Sequence, residues 1–269
     1  MTQELQKKFK KLKSDLKELG SVAVAFSGGV DSTFLLQVAH DVLGDKAVAV
    51  TAHLGMVPLR EAREAEEFCQ KEGICQVICE VDERMISGFC ENPKNRCYIC
   101  KKAIFQQIQK MAEEFHLDSV VEGSNIDDLG DYRPGMQAIA ELGVKSPLRE
   151  AGLTKKEIRT LSAELGLVTW DKPSYACLAS RFAYGETITR DKLAMVDQAE
   201  QLLLDLGFRQ MRVRLHGTMA RIEVMPEQFD RLMQEEIRTK ITEQFMSYGF
   251  TYVTLDLKGF RSGSMNETL

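Results

Sequence analysis

The chain has 269 residues, 44% of them hydrophobic and 28% charged, enough apolar material for a packed core and too much for a disordered chain. Its 35 Lys and Arg against 40 Asp and Glu leave a net charge of −5, a poor footing for gripping nucleic acid by charge alone. No apolar run approaches the ~20 residues needed to cross a bilayer, and the opening MTQELQKKFKKLKSDLKELG has no secretory apolar stretch, so an amphipathic first helix, a cytoplasmic address and no membrane partner are expected.

Short apolar runs then alternate with helical stretches. Val22 to Phe26 reads as a buried strand and Thr33 to Leu43 as a helix. Ala47 to Thr51 is a second strand, followed by a charged helix from about Arg60 to Lys71. Val77 to Val81 and Ser119 to Glu122 are the third and fourth strands, separated by a helix from about Tyr98 to Phe115. Continuous apolar strands with helical crossovers imply a parallel sheet covered on both faces. Thr154-Lys-Lys-Glu157 fits a helix capping box. The pattern changes after Gly185, with a helix from Asp191 to Leu206 and a hairpin of Met211–Leu215 with Ala220–Val224. A long or broken helix from Pro226 to Tyr248 leads to a last strand, Tyr252 to Leu257. The expected architecture is α/β, with residues 1–185 forming a nucleotide-binding domain and 186–269 a smaller α+β domain.

The sharpest motif is Ser27-Gly28-Gly29-Val30-Asp31-Ser32-Thr33, between the first strand and its helix. Two glycines let the backbone turn tightly and approach a ligand. The following amides lie at a helix N-terminus, where free N–H groups and the dipole favour phosphate. The Gly-Lys-Ser/Thr of γ-phosphate transfer is missing. Asp31 is either a carboxylate for Mg²⁺ beside a triphosphate or a helix N-terminal charge. The seven cysteines are an odd number, which disfavours a disulfide framework. Cys97-Tyr-Ile-Cys100 has three plain readings: redox dithiol, half of a zinc site, or coincidence. With Cys177 it supplies three thiolates, enough for a [4Fe–4S] cluster with one open iron able to take hydrosulfide. A persulfide-carrying thiol and a structural role are the alternatives. Cys69, Cys75, Cys79 and Cys90 are read as small core hydrophobes.

SGGVDS resembles the pyrophosphate (PP) loop of the ATP pyrophosphatases, which implies ATP, an adenylation, and pyrophosphate held from Ser27 to Ser32. Three further segments narrow the likeness: Gly123-Ser-Asn-Ile-Asp-Asp-Leu-Gly-Asp-Tyr-Arg-Pro-Gly135, Ser174 to Gly185, and Leu255 to Asn266. Together they resemble the LarE family, sulfur transferases of nickel-pincer nucleotide biosynthesis. The resemblance implies that a carboxylate of pyridinium-3,5-biscarboxylic acid mononucleotide is adenylylated and sulfur then displaces AMP. Some members sacrifice the sulfur of a single cysteine. Here Ala176 stands in that place and Cys177 one residue later, while Cys97, Cys100 and Cys177 resemble the cluster-containing branch, so sulfur delivered through a cluster is expected. The same resemblance gives Arg212 and Arg214, alternating on one strand face, the substrate phosphate, against a solvated face with paired acids. Glu200 and Glu223 would position a cation or the substrate, or act as counter-charges to Arg212, Arg214 and Arg221. Arg181 would face the adenylate or substrate carboxylate. Asp128, Asp131, Arg133 and Arg261 are open between site and structure. A cluster-dependent tRNA thiolase is the competing reading, opposed by 11 basic and 13 acidic residues after Gly185. Sulfide or another sulfur donor, no nucleic acid, and self-association into a homo-oligomer complete the expectations.

Overall fold

A computed structural model describes residues 2–130, 134–173, 175–261 and 263–268. By contacts the chain divides into two units, Met1–Ile86 with Cys97–Tyr175, and Ser87–Arg96 with Ala176–Leu269. The division falls at Ala176, upstream of the boundary expected near residue 185, and the second unit takes in a segment from the middle of the chain.

In the first unit the strands β1 (Val22–Ala25), β2 (Ala47–His53), β3 (Gln76–Glu80) and β4 (Ser119–Val121) form one parallel sheet in the order β3-β2-β1-β4. Its helices are α1 (Gln3–Glu18), α2 (Val30–Leu43), α3 (Leu59–Glu72), α4 (Arg96–Glu114), α5 (Gly135–Glu141), α6 (Pro147–Glu150) and α7 (Lys155–Glu164), with Arg96 itself in the second unit. Side chains alternate across the sheet. Val22, Val24, Ala47 and Ala49 join a core with Leu12 and Leu16 of α1, Phe34 and Leu35 of α2, and Ile158 and Leu161 of α7. Ala23, Val48 and Val50 join the opposite core with Phe105, Ile108 and Ala112 of α4 and Ile139 of α5. Both faces of the sheet are therefore covered, as the continuous apolar strands require.

Local signals set the helix ends. Thr2 accepts from the Leu5 amide to start α1, and Gly73, at φ +68°, ends α3 in the left-handed conformation. The capping box of Thr154 and Glu157 is present at α7. α2 begins three residues earlier than expected, at Val30, because the amide of Thr33 already bonds the Gly29 carbonyl.

The second unit has β5 (Met211–His216), β6 (Met219–Val224) and β7 (Tyr252–Leu255), with β5 antiparallel and β7 parallel to β6. Its helices are α8 (Arg190–Asp205), α9 (Phe229–Leu232) and α10 (Glu235–Ser247). Of the two readings of Pro226 to Tyr248, a long helix or a broken pair, the structure has the broken pair. β7 stops two residues short of Leu257 because the Asp256 carboxylate accepts from the Lys258 amide and turns the chain.

Candidate active site

The loop after β1 lies at the carboxyl end of a central strand, where ligands of open α/β sheets bind. Gly28 has φ +68°, and a Cβ there would meet the Ala65 methyl of α3 at 3.1 Å. Ser32 Oγ accepts from the Ser27 amide at 3.4 Å, donates to the Gly29 carbonyl at 3.2 Å and lies 3.1 Å from Ser27 Oγ. The loop closes on itself through this one hydroxyl. The first N–H groups of α2 have no partners within the helix, the arrangement that suits an anion. Gly123, opening the second motif, packs against it: a Cβ there would be 3.0 Å from the Ser32 nitrogen.

Asp31, in the first turn of α2, sets a carboxylate beside the loop amides. Burial pushes its carboxyl above the usual range, and the Lys155 ammonium pulls the other way. Lys155 Nζ donates to Asp31 Oδ2 at 2.5 Å. Asp31 Oδ1 is buried and has no hydrogen-bond partner among the described residues, which suits a hard cation held beside a triphosphate. The Asp127 carboxylate accepts from the Lys155 amide at 2.8 Å, and that of Asp128 from the Asn125 amide at 2.9 Å. The Asn125–Asp128 segment thus holds the start of α7. Asp131, Arg133, Ser174 and Ser262 lie outside the described residues.

Lys155 and Lys172 escape a reading of motifs, because they are 124 and 144 residues from their partners in the loop. One signal was present for Lys155. A cation in the first turn of a helix opposes the helix dipole, so it calls for a nearby anion.

In the second unit the predicted polar residues form a buried ionic network. Arg181 is 1% exposed and donates twice, at 2.8 Å, to Glu200, which is fully buried. Its third nitrogen reaches the carbonyls of Ala176 and Cys177 and the Ser180 hydroxyl. Burial would raise the Glu200 carboxyl, but Arg181 and the Val213 amide outweigh it and hold it low. Arg214 makes a forked contact with Glu223 at 2.9 and 3.0 Å and donates to the Ser180 carbonyl. Burial lowers the Arg214 guanidinium against the pull of Glu223. Glu223 also accepts from Arg221 and Ser264. Arg212 stacks 5.1 Å from the Phe260 ring. Arg212 and Arg214 share a face as expected, and it is a buried face (5% exposed each) in place of a solvated one. Arg261 pairs with Asp256 and Glu267.

The cysteines divide differently from expectation. Cys69 and Cys79 are buried and Cys90 half-buried, but Cys75 is exposed, a correction to the core role assigned to it. Strand β3 begins only at Gln76, so Cys75 stands on the turn before it. Burial pushes the Cys69 thiol up to about 12, a poor nucleophile. Cys97 is exposed and Cys100 half-buried in the first turns of α4, while Cys177 is half-buried in the second unit. Among the described residues no three His, Cys, Asp or Glu side chains are grouped to hold a metal ion. No helix of the described residues is long and apolar enough to cross a membrane.

A parallel sheet with this loop and an acid at the start of its helix defines an ATP-utilising enzyme of the PP-loop class, and the PP-loop domain family matches residues 1–129. The chain is 39% identical over 255 residues to the pyridinium-3,5-bisthiocarboxylic acid mononucleotide synthase of Lactiplantibacillus plantarum, covering 94% of this chain and 92% of that one. It therefore belongs to the LarE family of ATP-dependent sulfurtransferases. It is also 43% identical to an uncharacterized protein of Synechocystis, over 98% of this chain and 99% of the other. A glutamine-hydrolyzing GMP synthase component from Thermoplasma acidophilum is more distant, at 27% identity over 69% of this chain and 64% of its own.

Proposed function

We propose that the enzyme adenylylates a carboxylate of pyridinium-3,5-biscarboxylic acid mononucleotide and replaces the activated oxygen with sulfur, a step in building a nickel-pincer nucleotide. The observation that carries this reading is the 39% identity to the synthase across nearly the whole of both chains. A carboxylate oxygen attacks the α-phosphorus of ATP. The bond from that phosphorus to the bridging oxygen breaks, and its electron pair leaves with pyrophosphate into the loop of Ser27, Gly28, Gly29, Ser32 and Thr33. Asp31, whose Oδ1 has no hydrogen-bond partner among the described residues while Oδ2 accepts from Lys155, would hold Mg²⁺, and the ion would offset the charge of the phosphates. A hydrosulfide-class sulfur then attacks the acyl-adenylate carbonyl. The C–S bond forms, the C–O bond to AMP breaks, and the sulfur's proton passes to solvent. A second round gives the bisthiocarboxylate. Arg212 and Arg214 are the candidate ligands of the substrate phosphate, and Arg181, Glu200 and Glu223 hold them in register. A homo-oligomer is part of the proposal.

Cys97, Cys100 and Cys177 are proposed to hold a [4Fe–4S] cluster, whose open iron would supply the sulfur nucleophile. Support comes from the donor set, three thiols of which one is exposed and two half-buried. Anaerobic reconstitution should give a broad iron–sulfur absorbance that Cys97→Ala abolishes. A colourless protein holding stoichiometric zinc refutes the cluster, and loss of hydrogen sulfide from Cys177 after turnover would show a sacrificial route. The function itself is tested by incubation with Mg-ATP, sulfide and the dicarboxylate nucleotide. A thiocarboxylate with matching AMP and pyrophosphate is expected, and unchanged nucleotide overturns the proposal.

A further inference from the structure

We infer that Lys172 is a positioning residue of the pyrophosphate loop, holding the Gly28–Gly29 peptide so that its N–H faces the anion. The inference rests on the reading of this loop as the ATP site. Lys172 Nζ donates to the Gly28 carbonyl at 3.1 Å and to Glu64 of α3 at 2.7 Å. The peptides are trans, and in a trans peptide the C=O and N–H point opposite ways. Drawing the Gly28 oxygen toward Lys172 therefore sends the Gly29 N–H to the other side of the loop. This peptide needs such a hold, because it lies between two glycines and no Cβ resists a flip. A flipped peptide would present its carbonyl to phosphate, replacing a donor with a repelling dipole.

The surroundings fix the lysine in turn. Arg159 of α7 donates to the Trp170 carbonyl at 2.6 Å and to that of Lys172 at 2.8 Å. The turn carrying the lysine is thus tied down by its backbone. The Lys172 side chain is only 13% exposed, whereas Glu64 is 54% exposed. An ion pair with so exposed a partner contributes little to stability by itself. The Gly28 carbonyl is the contact that gives a buried ammonium a purpose here. Ala65, one residue after Glu64, backs Gly28 at 3.1 Å from the site of its absent Cβ, so α3 and Lys172 hold the residue together.

The test uses the full chain, with inorganic pyrophosphate and Mg²⁺ as one probe and AMP as the other, read by calorimetry. Lys172→Met should weaken pyrophosphate at least tenfold and AMP less than threefold. Lys172→Arg, which keeps a donor to the carbonyl, should recover most of the loss. Wild-type affinity for pyrophosphate in Lys172→Met overturns the inference. So does an equal loss of both probes with a lowered melting temperature, which marks a merely structural lysine. If the wild-type chain binds neither pyrophosphate nor Mg-ATP, the reading of the loop itself fails, a result distinct from either.

Discussion

At Gly123 a single hydrogen stands where any other residue has a carbon. An added methyl would lie 3.0 Å from the Ser32 nitrogen and 3.2 Å from the Asp31 carbonyl carbon, both backbone atoms that cannot rotate away. Gly123→Ala should cost about 1–3 kcal/mol of stability in urea unfolding, the usual range for overpacking. By displacing the loop amides it should also raise the KM for ATP tenfold or more. Asp31 offers an opposite trade. Burial raises its folded carboxyl above the unfolded value of 3.8, so ionising it at neutral pH works against folding. The associated stability is present below that value and lost as pH rises through the folded one. Asp31→Asn should therefore melt higher than the wild-type chain at pH 7, with the gap closing toward pH 4, while ATP-dependent turnover is abolished. A lower melt at pH 7 would show that Lys155 matters more than desolvation. Ser27 to Thr33 were legible because a tight turn into a helix is a local demand on residue type. Lys172 was not, since a contact across more than a hundred residues leaves no local trace, and Lys155 left only its misfit with the helix dipole, which names no partner.

Among the elements, α8 and β5 are joined through a carboxylate without solvent. Glu200 of α8 holds Arg181 at two points and the Val213 amide of β5 at a third. Removing one partner of a buried pair costs about 3–5 kcal/mol, so Glu200→Gln should lose that order of stability in urea at pH 7. The folded carboxyl is held below its unfolded value of 4.5. Its contribution is thus present above that value and lost as pH falls through the folded one, and the two proteins should converge in acid. The alternation of Arg212 and Arg214 could be read from spacing. Their burial could not, because alternating polar residues on a strand look the same under a covering layer as under water. Strand edges were blurred for related reasons: Cys75 precedes β3 by one residue, and Asp256 turns the chain where Leu257 would have prolonged β7.

For the whole molecule, the sequence order of the units conceals that the second is discontinuous. Phe89 and Asn92 are fully buried. Asn92 donates to the Ala183 carbonyl at 2.6 Å, and its own carbonyl accepts from the Gly185 amide at 2.9 Å. A fragment of residues 176–269 therefore lacks part of its own fold. It should show weak, non-cooperative melting by circular dichroism, and a cooperative transition would mean that Ser87–Arg96 is an ornament. The α/β class and its smaller companion were readable from periodicity. The excursion was not, since no composition shift marks it.

That excursion also imposes an order on biosynthesis. Ser87–Arg96 leaves the ribosome well before Ala176, and at roughly 5–20 residues per second the interval is several seconds. During that time Phe89 has no core to enter and Arg96 no carbonyl at position 179 to bind. The nascent chain carries a half-finished second unit inside its first, so the first unit must form around a loop that is still waiting. Slowing translation between these points should lengthen the exposure of that loop, which makes it the expected place for chaperone capture.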